Sequence, residues 1–134
     1  MKQELYQELG GLDKLREIID TFVDTMFDDV MIGFFFRKNS KQMLKDREFE
    51  FAAQFLGADV KYTGKPLGAA HKNHKIKNGQ FSRRKQIFKE TLESYDVPKH
   101  IIDLLMEHTE SFRVPITKTK NSDSVARQSD TKLS

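Results

Sequence analysis

The chain has 134 residues, with 23 Lys and Arg against 20 Asp and Glu, a net charge of +3 and a pI near 9.1. That length suits one domain with one core, and no apolar run approaches the roughly 20 residues of a membrane span. The absence of cysteine excludes disulfides and thiolate metal sites and is compatible with a reducing cytosol; acidic and basic residues alternate, so a nucleic-acid surface is not indicated.

The start, Met1-Lys2-Gln3-Glu4-Leu5, lacks the apolar core of a signal peptide. A short first helix over 3–9 is broken by Gly10-Gly11. In the next segment Leu12, Leu15, Ile18, Ile19, Phe22, Val23, Met26 and Phe27 recur at helical spacing as one apolar stripe. Asp28 and Asp29 oppose the negative end of that helix's dipole, which predicts a change of direction. In Val30-Met31-Ile32-Gly33-Phe34-Phe35-Phe36, three consecutive phenylalanines cannot share one helix face. Arg37-Lys38-Asn39-Ser40 is a polar loop, and Ser40 suits an N-cap for a helix running to about Leu56, closed by Gly57. Its inward line is Leu44, Glu48, Phe51 and Phe55, with one charge on an apolar face.

Residues 61–76 begin as a turn-rich loop around Gly64 and Pro66 and carry His71 and His74. After Asn78-Gly79 a long helix runs from about 79 to 95 with the stripe Phe81, Arg84, Ile87 or Phe88, Thr91 or Leu92, and Tyr95; here Arg84 breaks the apolar face. Asp96-Val97-Pro98 restarts the chain. A last helix carries Ile101, Ile102, Leu104, Leu105, His108 and Phe112 and ends at Pro115. His108, on an apolar stripe, is expected to be a hydrogen-bonded core residue. The domain is expected over 1–116, with a polar, disordered tail over 117–134. No segment alternates with period two for long, so the class is all-α with five to seven helices. The 11 phenylalanines fit either an ordinary core or the walls of a pocket for something flat.

Several of these features resemble one family in their order along the chain: Leu5-Tyr6-Gln7-Glu8-Leu9-Gly10-Gly11, Phe22, Phe35-Phe36, Leu56-Gly57-Ala58, Tyr62-Thr63-Gly64, Ala70-His71, Ile76 and Phe81. The chain is similar to the truncated haemoglobins, most closely group I, from about Leu5 to Val114. The resemblance implies a globin-like two-over-two helical sandwich around haem b (iron protoporphyrin IX). It places His71 as the axial iron ligand and Phe36 against the haem face. Leu44, Phe51, Leu67, Ile76 and Phe81 match haem-lining positions, and Arg47 and Tyr62 match positions that meet the propionates, where a guanidinium suits a carboxylate. It further implies diatomic ligands (O2, NO, CO), oxygen binding or transport, nitric oxide dioxygenation or a peroxidase-type side activity by analogy, a reductase partner, and a monomer or weak homodimer.

The residues favour His71 over His74 on their own terms: Leu67, Ala69, Ala70 and Ile76 border His71, while Lys72, Lys75 and Lys77 mark a solvent side. A zinc ion shared by His71 and His74 lacks further ligands nearby in sequence. Three positions depart from the family pattern. Val23 stands where ligand-binding members carry a tyrosine donor, Glu48 where a glutamine is common, and Arg84 at a wall position that is usually apolar. An isolated charge in such a slot is costly, which leaves three outcomes: Glu48 and Arg84 pair, Glu48 is a neutral acid that donates to a ligand, or the helices turn both to solvent. The second functional reading is a globin-shaped module that has lost haem and acts in sensing or protein interaction, with the charged pair filling the slot. The third, a nucleic-acid-binding domain, rests only on the basic pI and the lysines around His71.

Overall fold

The computed structural model describes residues 4–64 and 76–117. Among these it forms seven helices and no strand: α1 (Leu5–Leu9), α2 (Leu12–Asp28), α3 (Gly33–Phe36), α4 (Lys41–Phe55), α5 (Asn78–Ser94), α6 (Lys99–Glu110) and α7 (Arg113–Thr117). The packing runs α2 against α4, α2 against α5, and α5 against α6, so two helix pairs lie one over the other. No helix among the described residues is long and apolar enough to cross a membrane.

α2 is the centre of this arrangement because its stripe is the densest. Leu15, Ile18, Ile19, Phe22, Val23 and Met26 are each at most 1% exposed, and burying such side chains contributes about 1.5–3 kcal/mol apiece. The α1–α2 corner needs both glycines: Gly10 has φ +130° and Gly11 φ +101°, conformations that side chains resist. A Cβ on Gly11 would meet nothing within 4 Å, so Gly11→Ala isolates backbone strain. It is expected to cost about 1–2 kcal/mol in thermal unfolding. Gly79→Ala, in helical backbone with a free approach to Met31 Cε at 3.8 Å, is expected to stabilise by about 0.5 kcal/mol.

The expected change of direction after α2 is built on Asp29. Its side chain accepts from the Met31 and Ile32 amides at 3.0 and 3.1 Å and from Arg83 Nε and Nη2 at 2.9 and 2.8 Å. These donors, the Arg83 guanidinium first, hold the Asp29 carboxyl below its ordinary range. Of the three phenylalanines Phe34 turns to solvent, 51% exposed. Ser40 caps α4 by accepting from the Met43 amide at 3.2 Å, and the chain leaves that helix through Gly57 at φ +94°.

Pro115 does not end the last long helix. α6 stops at Glu110, and Pro115 sits inside the short α7, in a first turn where its missing N–H removes no bond. Thr117, where the tail is expected to begin, is the buried last residue of α7; residues 118–134 lie outside the described chain. A polar latch joins α5, α6 and α7. Glu110 accepts from Lys85 Nζ at 2.9 Å and from Arg113 Nε at 2.6 Å, while Arg113 also donates to the Asn78 carbonyl at 3.1 Å and lies 4.7 Å over the Phe81 ring.

The Arg113 hydrogen bond, opposed by burial and helped by Lys85, holds the Glu110 pKa from 4.5 down to about 2. A carboxyl with a depressed folded pKa adds stability above its unfolded pKa and loses it as pH falls through the folded one. Glu110→Gln is therefore expected to lower Tm at neutral pH. The deficit should shrink as pH falls from 4.5 to about 2, as a thermal-unfolding series in pH would register.

Candidate functional site

Between the two helix pairs lies a cavity of about 600 Å³, within the range of about 300–1,000 Å³ usual for small-molecule and cofactor sites. α2 gives it Ile19. The α3 region gives Ile32, Phe35 and Phe36. α4 gives Met43, Leu44, Arg47, Glu48, Phe51 and Ala52, and α5 gives Gln80, Phe81, Arg84 and Phe88. α6 adds Leu105, His108 and Thr109, and Phe112 and Ile116 close one side. The 62–64 strap and Ile76 complete the wall.

The cavity explains a feature of α4. Its fully covered residues are the alanines, Ala52 and Ala53, while Leu44, Glu48, Phe51 and Phe55 are only half-buried. Leu44, Glu48 and Phe51 face the open space, which leaves them part-exposed.

The structure therefore brings Phe36, Leu44, Arg47, Glu48, Phe51, Tyr62, Ile76, Phe81 and Arg84 to one cavity. Val23 is not on its wall: it is 0% exposed, within the core. The stripe of α2 is turned to α4 and α5, and Ile19, one turn earlier, is what α2 shows to the cavity. Leu67, His71 and His74 lie outside the described residues. The described chain stops at Gly64 and resumes at Ile76, and both of these residues are on the cavity wall.

Glu48 and Arg84 pair across the cavity. Arg84 Nη2 donates to both Glu48 oxygens, at 2.8 and 2.9 Å, with Arg84 24% and Glu48 20% exposed in their side chains. The guanidinium carbon stands 5.0 Å over the Phe22 ring, which packs on Phe88 at 4.7 Å. A cation held on an aromatic face keeps its orientation, so Phe22 is a floor for Arg84.

A second polar cluster lies on the same wall. Glu50 accepts from the Thr63 amide at 2.9 Å and its hydroxyl at 2.8 Å, and forms an ion pair with Arg47 Nη1 at 3.6 Å. This pins the Tyr62-Thr63-Gly64 strap to α4. The Tyr62 ring meets Phe51 edge-on at 5.5 Å and lies so close over Gly64 that a Cβ there would come within 2.5 Å of the phenol oxygen, a close approach that suits glycine. Burial, then the Glu48 carboxylate, pushes the Tyr62 phenol up, so it stays protonated at neutral pH.

His108 is the wall residue that its sequence setting hides. It stacks on Phe55 at 3.9 Å and on Phe51 at 5.2 Å, with Phe112 edge-on at 5.1 Å. Its ring has no hydrogen-bond partner among the described residues, so the hydrogen-bonded core role expected of it is replaced by an aromatic sleeve. Burial pushes its pKa down, which keeps the imidazole neutral. A histidine on an apolar stripe beside two phenylalanines one turn apart, Phe51 and Phe55, was the available signal. His100 instead meets Glu8 Oε1 at 2.7 Å and ties α6 to α1. Among the described residues no group of three His, Asp or Glu is gathered to hold an ion.

Apolar and aromatic walls with a guanidinium and a phenol suit a flat apolar group that carries carboxylates. The cavity stays open although Glu48 and Arg84 have met, which counts against the reading in which that pair fills the slot.

The sequence matches the bacterial-like globin family profile over residues 4–118. It is 29% identical over 69 residues to the group 1 truncated haemoglobin LI410 of Chlamydomonas moewusii, covering 52% of this chain but only 40% of that protein. It is 24% identical over 102 residues to the group 1 truncated haemoglobin GlbN of Mycolicibacterium paratuberculosis, covering 76% and 75%. The ferric truncated haemoglobin of Tetrahymena pyriformis superposes with a TM-score of 0.79 at 23% identity, over 85% of this chain and 97% of that one.

Proposed function

The chain belongs to the bacterial-like globins, the truncated two-over-two branch, and from that premise we propose that it holds haem b in the described cavity and binds a diatomic gas, O2 or NO, at the iron. The observation that carries this is the open cavity of about 600 Å³ with Phe36, Phe51, Phe81 and Ile76 on its walls. Those side chains would exclude water from a flat apolar group. Arg47 and Tyr62 would hold its carboxylates. His71 is the axial ligand in this reading. It lies seven residues past Gly64 and five before Ile76, both wall residues, and an extended chain covers about 3.3 Å per residue, so the imidazole is within reach from both ends. When bound, haem iron supplies the ligand-binding chemistry; the chain supplies orientation, polarity and exclusion of water.

The polar wall of this site is the Glu48–Arg84 pair, and Val23 offers no donor. Bound oxygen carries partial negative charge and is held by hydrogen-bond donors. Val23 is packed in the core and α2 shows the cavity Ile19, so α2 would offer a bound gas no donor, and oxygen is expected to be released faster than from a chain with a tyrosine on that wall. Ile19→Tyr, at the α2 position that lines the cavity, is expected to slow oxygen loss in stopped-flow measurements; an unchanged off-rate would remove the missing α2 donor from the explanation. The reading as a whole is tested by titrating the purified protein with haemin. A sharp Soret band saturating at one equivalent, and a carbon monoxide adduct after reduction, are expected. A broad band that grows without saturation contradicts it.

A further inference from the structure

The Glu48–Arg84 pair is lopsided. A guanidinium has five N–H donors, and Arg84 turns only Nη2 toward Glu48, at 2.8 and 2.9 Å from the two oxygens. Nε and Nη1, with the other three N–H groups, meet no acceptor among the described residues. Arg113, over the Phe81 ring of this wall, spends Nε, Nη1 and Nη2 on acceptors. The Phe22 ring beneath the guanidinium, itself packed on Phe88, favours the orientation Arg84 has. The pair is neutral as a whole, which limits the cost of placing it in an apolar cavity. Its positive edge is nevertheless left with free donors on the cavity wall.

Carbon monoxide, which takes up little charge when bound, gains little from such an edge. A small ligand with full negative charge on a nitrogen or oxygen gains charge-assisted hydrogen bonds, roughly twice as strong as neutral ones. Resting on the haem reading above, we propose that Arg84 makes this cavity a site for small anions (azide, cyanide, nitrite, hydroperoxide), which its free donors favour over carbon monoxide. Glu48 is a positioning residue that aims the guanidinium and competes with the anion for it. The two residues therefore act in opposite directions, which a merely structural pair does not do.

The test is optical titration of the ferric, haem-loaded full chain with sodium azide, beside carbon monoxide binding to the ferrous form. Arg84→Met is expected to weaken azide roughly ten- to a hundred-fold. Glu48→Gln, which removes the competing charge and keeps an acceptor, is expected to tighten azide several-fold. Carbon monoxide affinity is expected to change by a smaller factor than azide affinity in both, since carbon monoxide has little to gain from the free donors. Should Arg84→Met unfold, Arg84→Lys keeps the charge but offers a point donor without the planar edge, and it too is expected to weaken azide. Azide affinity unchanged in the arginine variants, or weakened alike by Glu48→Gln, overturns the proposal while the haem reading stands. A wild-type chain that takes up no haemin overturns both.

Discussion

Replacing His71 by alanine is expected to abolish stable haem retention. Loss of a partner one shell out from a metal typically costs 10–100-fold in affinity, and in this account His71 is the sole protein bond to the iron, so its loss should exceed that range. The remaining walls would still attract an apolar ring, and the variant should therefore bind haemin weakly, with a broad Soret band. External imidazole should restore the sharp band, because the cavity that receives it is set by Phe36, Phe51 and Phe81 and not by the missing side chain. His74→Ala is the control and should leave the spectrum unchanged. An undiminished Soret band in His71→Ala, or one lost in His74→Ala instead, would reassign the ligand.

Phe22→Ala is expected to be the most damaging single change in the core, at about 3–5 kcal/mol. Phe22 is 0% exposed and lies where α2 meets α5, its ring against Phe88 at 4.7 Å and beneath the Arg84 guanidinium at 5.0 Å. Removing it leaves a void between α2 and α5 and takes away the floor under the cavity's cation. Urea unfolding should show the midpoint fall without a change in slope, as expected when the void alone is responsible. Phe22→Leu, which refills much of the volume, should recover more than half of the loss. A drop below about 1 kcal/mol for alanine would mean that the site collapses around the change, and that the stacking described here contributes little.

Much of this was legible from the residues because charge interrupts periodicity only for a reason. Glu48 and Arg84 stand out as breaks in two apolar stripes, on helices far apart in sequence, and the structure brings them to 2.8 Å. α2 is legible from its stripe alone, and the Asp28-Asp29 stop from dipole arguments. Other parts depend on depth, which spacing does not encode. Val23 and Ile19 are one turn apart in a single stripe, yet only Ile19 reaches the cavity. His108 shares its stripe with Leu105, yet Leu105 is 2% exposed while His108 is only half-buried, in a sleeve of rings drawn from α4 and from the α6–α7 junction. Pro115 as a terminator failed because a proline in a first turn starts a helix as readily as it ends one. The strap at 62–64 was identifiable as a motif, but its anchoring by Glu50 was not, since nothing in local sequence distinguishes Glu50 from the other charged residues on α4.

The most direct test of the account is proton NMR of the cyanide-bound ferric protein. Nuclear Overhauser contacts from haem substituents to the rings of Phe36, Phe51 and Phe81 and to the Ile76 methyls, with the Arg84 guanidinium protons shifted by the iron, are the predicted result. A spectrum in which those rings contact only one another and Arg84 is unshifted would place the haem elsewhere and contradict the account.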